Sequence, residues 1–127
     1  LAIAMGTRIA IDVQITYRNR AERSVVVMVP SLESAIVLKA IAWNDRRFHT
    51  DKDAIDLSNL FAVLAEHGPH RLGEWHLNEP RLQGSRHDAA AHLHRLADLW
   101  EVKRPRAAVD ARALVSRIRT HVTAPDR

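Results

Sequence analysis

The chain has 127 residues, with 46% hydrophobic and 27% charged residues. That balance excludes a fibrous or wholly disordered chain and leaves about one globular domain, large enough to bury a core without covalent staples. Net charge is +4, from 19 basic and 15 acidic residues, and eight histidines add to it in mild acid. The excess favours anionic partners, although many basic proteins bind no nucleic acid. There is no cysteine, so disulfides and thiolate chemistry are excluded, and a cytoplasmic location is expected. No apolar run approaches the roughly 18 residues of a membrane span. The apolar start, residues 1–5, is too short for a signal peptide, and its Leu1 suggests a truncated chain or an alternative start codon.

Residues 7–17 alternate at period two. Ile9, Ile11, Val13 and Ile15 share one face, and Arg8, Asp12, Gln14 and Thr16 the other, which predicts a strand. Residues 19–22 supply a turn, and the β-branched run 24–29 predicts a second strand ended by Pro30. Ser31 then reads as a helix N-cap, with Glu33 and Ser34 in the first turn of a helix reaching about Arg47. This helix is apolar nearly all round, as buried helices are. Thr50 reads as the next N-cap, with Asp53 completing a capping box; the helix extends to about Glu66 and stops near Gly68-Pro69. Its apolar stripe is Leu57, Leu60, Phe61 and Leu64.

Residues 68–82 read as a loop anchored by Trp75. Ser85 reads as the cap of a third helix, about 86–101, with the stripe Ala89, Leu93, Leu96, Ala97 and Trp100. Pro105 breaks it, and a last helix over about 107–122 carries Leu114, Val115, Ile118 and Val122. The expected class is therefore α+β: a single domain over 1–127, with a β-hairpin (7–30) packed on a helical part of about four helices (31–127). A lone hairpin is only marginally stable. It is expected to lie against the helices, or to join strands from missing sequence or a partner.

Three positions stand out chemically. Lys39 falls on the same helix face as Leu32, Ile36 and Trp43, within roughly 60° of arc, with Arg46 seven residues on. A lysine there either snorkels outward along its stem or is a cation held for a phosphate or carboxylate. Asp53 and Asp56 share the face of Leu57, Leu60 and Leu64. Both suit a helix N-terminus electrostatically, and Asp56 could pair with Lys39, Arg46 or Arg47. Asp12, between Ile11 and Val13, is either an exposed strand aspartate or a metal-binding carboxylate.

Taken together, the Ile-Asp-Val strand, its hairpin partner, the segment VPSLESAIVLKAIAWNDRR and the segment DKDAIDLSNLFAVL resemble the AbiEii family of nucleotidyltransferase toxins, which includes the mycobacterial MenT group. That family belongs to the DNA polymerase β-like superfamily. The matching positions are Pro30, Lys39, Arg46 or Arg47, Lys52-Asp53, Asp56 and Leu57, and the resemblance covers roughly residues 8–66. It implies the C-terminal part of a nucleotidyltransferase-like fold of the toxin–antitoxin type. In that reading Lys39 contacts nucleotide phosphates with Arg46 or Arg47 in support, Asp53 is the conserved acid, and Asp12 is a carboxylate beside the metal.

The implied activity is transfer of a nucleoside monophosphate from an NTP to an acceptor such as tRNA, with Mg²⁺ as cofactor. A cognate antitoxin, or self-association through the hairpin edge, would complete the list of partners. One departure is plain. The family places a Gly-Ser loop and a D-x-D pair ahead of the strand carboxylate, and only eleven residues precede Asp12. Gly84-Ser85 has no D-x-D after it and reads as a cap. The chain is then a fragment, a degenerate member, or one half of a site shared between two chains. The alternative is a non-catalytic module that binds protein or nucleic acid, for example through its basic C-terminal third (Lys103, Arg104, Arg106, Arg112, Arg117, Arg119). His87, His92 and His94 on the third helix read as solvated rather than as metal ligands.

Overall fold

Ser31 opens the helical body. Its hydroxyl accepts from the backbone N–H of Ser34 at 3.2 Å, and helix α1 follows over Leu32–Arg46. In this computed structural model residues 8–16, 22–69, 71, 73–103 and 110–125 are described, with the backbone alone for 8–16 and 22–30.

Helix α2 spans Lys52–His67 and begins one residue later than a Thr50 cap implies. Its N-cap is Asp51, while the Thr50 hydroxyl accepts from the N–H of Lys52 at 3.1 Å. Asp53 makes no capping box, because its carboxylate is held by Arg46 of α1. Gly68 ends the helix: its N–H reaches the Leu64 carbonyl at 2.8 Å, and its φ of 82° with ψ of 157° is a conformation that is essentially glycine's alone.

Helix α3 covers Gly84–Val102. Ser85 lies inside it and does not cap it. The N-cap is Gln83, and Gly84 turns the chain with a φ of 59°. Helix α4 covers Ala111–His121, where the Asp110 carboxylate accepts from the Ala113 N–H at 3.0 Å. Residues 104–109, on which the expected start of this helix falls, lie outside the described residues.

Each helix buries one stripe at helical spacing. Helix α1 contributes Ile36, Val37, Ala40 and Trp43, α2 contributes Ala54, Leu57, Phe61 and Leu64, α3 contributes Ala89, Ala90, Leu93, Leu96 and Ala97, and α4 contributes Leu114 and Ile118. Side chains of this size stabilise by about 1.5–3 kcal/mol each when fully buried. Helix α1 packs on α2 and α3, and α4 closes the ring against α3 and α2.

The segment between α2 and α3 belongs to the same core. Trp75 and Leu77 are buried, and the Trp75 indole donates to the His121 carbonyl at 3.0 Å. Thr123 crosses over this segment: its N–H donates to the Leu77 carbonyl and its hydroxyl to the Glu79 carbonyl, both at 2.7 Å. His94 donates to the Val122 carbonyl at 2.8 Å. Glu33, buried in the first turn of α1, accepts from the N–H groups of His76 and of Leu77 (3.0 Å) and from Arg86 Nε at 2.7 Å. One carboxylate thus joins α1, the connecting segment and α3.

The α+β expectation is corrected. Among the residues whose side chains are described, the body that holds the hydrophobic core is all-helical, four helices with no sheet in it, and its core residues lie in these helices, in the segment between α2 and α3, or just after α4. Ahead of it the backbone of β1 (Arg8–Thr16) pairs antiparallel with β2 (Glu22–Pro30), in register from Arg8 opposite Pro30 to Thr16 opposite Glu22. Alternation at period two signals extended backbone. It does not say whether the strands join the core. Among the described residues no helix is long and apolar enough to cross a membrane.

Candidate functional site

Helices α1 and α2 are joined by five residues, 47–51, so they lie side by side and their polar flanks meet. Four charged side chains collect at that seam. Arg46, at the end of α1, forms a two-pronged bond with Asp53 in the first turn of α2: Nη2 donates to Oδ1 at 2.7 Å and Nε to Oδ2 at 3.0 Å. Asp53 is fully buried, whereas about half of the Arg46 side chain is exposed. This bond, above all, holds the Arg46 guanidinium's pKa above its ordinary value.

Lys39, two turns earlier on α1, places Nζ 2.8 Å from Asp56 Oδ2 and 3.7 Å from Asp53 Oδ1. About a third of the Lys39 and Asp56 side chains is exposed. Lys39 is therefore not sealed in the core. It stands at the edge of the buried stripe, where its ammonium meets the two carboxylates.

Beside this quartet a groove of about 400 Å³ runs between α1 and α2, lined by Ala35, Leu38, Lys39, Asp56, Asn59, Leu60 and Val63. Its walls are mostly aliphatic, with one ammonium, one carboxylate and one carboxamide as its polar groups. Asp53 lies beneath the Lys39–Asp56 pair and does not line the groove.

The sequence-derived positions thus separate into three groups. Lys39, Arg46, Asp53 and Asp56 converge. Arg47 turns away: its guanidinium lies over the rings of Trp43 (5.4 Å to the centroid) and Phe48 (4.7 Å). Asp12 sits on β1 opposite Val26, and its side chain lies outside the described residues.

Mg²⁺ does not fit the described carboxylates. Both Asp53 oxygens accept from Arg46, Asp56 is paired with Lys39, and two cations at the seam already neutralise two anions. Among the described residues no group of three or more His, Cys, Asp and Glu could hold a metal ion. The α3 histidines have separate surroundings. His94 bonds the Val122 carbonyl and His87 lies by Asp88. His92 has a lowered pKa, first because burial disfavours its charge and then because Arg95 is near. In the basic C-terminal third, Arg119 is spent on Glu101 (two bonds of 2.7 Å) and Asp98 (3.2 Å).

Sequence reasoning missed the role of Asn59 in the groove and the buried clamp of Glu33. Asn59 could have been found, since it lies on α2 three residues after Asp56 and four before Val63. No known protein family, curated protein or solved structure matches the chain.

Proposed function

We propose that this chain is the C-terminal part of a cytoplasmic nucleotidyltransferase of the AbiEii type, and that Lys39 binds the phosphates of a nucleoside triphosphate at the α1–α2 groove. What supports the reading is the convergence of Lys39, Arg46, Asp53 and Asp56 at one seam of two helices, with Lys39 and Asp56 lining a groove beside it.

In this reading each residue has a role. Asp53 is a positioning residue: buried and held on both oxygens, it fixes the fork of Arg46 and the approach of α2 to α1. Asp56 is the resting counterion of Lys39, and both are partly exposed. An incoming phosphate would take the place of Asp56 at Nζ, gaining a charge-assisted bond at a partly desolvated ammonium. In the transfer itself an acceptor hydroxyl, such as one on a tRNA, would lose its proton to solvent and form the new bond to the α-phosphorus as the bond from that phosphorus to the oxygen it shares with the β-phosphate breaks and pyrophosphate leaves. Lys39 would offset charge on the departing phosphates. No step is assigned to a metal ion, since the described carboxylates do not fit one.

One observation favours a second reading. The quartet is electrically balanced, so the seam attracts anions only when a pair opens. A non-catalytic binding module, using the aliphatic groove, would need no such opening.

Calorimetric titration with ATP, GTP, CTP and UTP, with and without Mg²⁺, separates the two. The transferase reading expects binding of at least one triphosphate and a loss of roughly tenfold or more in Lys39→Ala, as expected for one hydrogen bond to a charged group. No binding of any triphosphate, or binding untouched by Lys39→Ala, with helical circular dichroism intact in both proteins, leaves the binding module.

A further inference from the structure

Phe48, in the turn between α1 and α2, is 82% exposed, the largest ring left open among the described residues. Its setting is unusual for an exposed aromatic. Every other residue from Asn44 to Lys52 is polar or charged. Its inward neighbour is the Arg47 guanidinium, which in turn lies over Trp43, a ring fixed in the core. Trp43, Arg47 and Phe48 form a column that starts in the core and ends in solvent.

The column is held in a definite way. Arg47 Nε is shut off from solvent and has no hydrogen-bond partner among the described residues, and the guanidinium lies against both rings. Nearby cations are His49 (when protonated), Lys52 and Arg95, whose guanidinium donates to Asn44 Oδ1 at 3.1 Å. Nearby acids are Asp45 and Asp51. Arg46 is committed to Asp53.

We propose that Phe48 is the outer plate of this column and stacks an unpaired base of single-stranded nucleic acid, with Arg47 behind it as a cationic backing. An open ring among polar and charged sequence neighbours, backed by a guanidinium, suits a flat, polar-edged base. The guanidinium behind the ring and the chain's net charge of +4 are complementary to the phosphates on either side of that base. The contact is independent of Lys39 and stands or falls apart from the nucleotide reading.

The test is fluorescence anisotropy at low salt, with labelled oligouridine, oligothymidine and an abasic strand of the same length. The base-bearing strands bind about tenfold or more tighter than the abasic one, the scale of one base–aromatic stack. Phe48→Ala removes that advantage and leaves the abasic strand's affinity unchanged, while Phe48→Trp keeps it. With 82% of its surface open, Phe48 is truncated with the fold left intact, which circular dichroism verifies. Equal binding of abasic and base-bearing strands, no binding, or no effect of Phe48→Ala overturns the proposal.

Discussion

Replacing Glu33 with alanine tests how the connecting segment is held. The carboxylate is 1% exposed and accepts from two backbone N–H groups and from Arg86. Without it, Arg86 can turn outward, since about a quarter of its side chain already reaches solvent. The N–H groups of His76 and Leu77 cannot follow, because Leu77 is buried and its carbonyl is bonded to Thr123. Each orphaned donor costs about 1–3 kcal/mol, so the expected loss is about 3–5 kcal/mol. In a body of this size that lowers the midpoint of thermal unfolding by roughly 12–20 °C. Glu33→Gln, which keeps the shape and one acceptor oxygen, loses about half as much. Urea unfolding followed by circular dichroism measures both. A loss below about 1 kcal/mol in Glu33→Ala would refute the clamp.

Two further outcomes are expected. His76 has a pKa raised above its ordinary value, first by its bond to Glu79 and then by that to Glu74. Its contribution to stability is therefore complete below the unfolded-state pKa and is lost as pH rises through the raised folded value. His76→Gln flattens the melting temperature against pH across that interval, and an unchanged slope would argue against the pairing. Gly68→Ala places a side chain at a φ of 82°, costs about 1–3 kcal/mol in denaturant unfolding, and leaves triphosphate titration unchanged.

What could be read from the sequence is what is local. The spacing of Leu57, Phe61 and Leu64 identified the buried face of α2, and Ser31 capped α1 as its hydroxyl and position require. The third-helix cap failed because Gly84 turns through a positive φ and enters the helix itself. The fold class failed for a deeper reason: an alternating segment declares its backbone but not its partner surface. At the candidate site, Lys39 and Arg46 were visible as cations on one apolar helix, and pairing of Asp56 with Lys39 was among the open alternatives. Asp53 was harder, since a cap and an arginine partner call for the same residue at the same helix end. Glu33 was beyond reach, with partners 43, 44 and 53 residues away.

The crossing at residues 121–123 has a mechanical consequence. Since the tail beyond α4 is laced into Trp75, Leu77, Glu79 and His94, the last helix cannot peel off while the rest stays native. Slow amide exchange at α4 and at Leu77 should then share one opening free energy, so that the body behaves as a single cooperative unit rather than a frame with a detachable end.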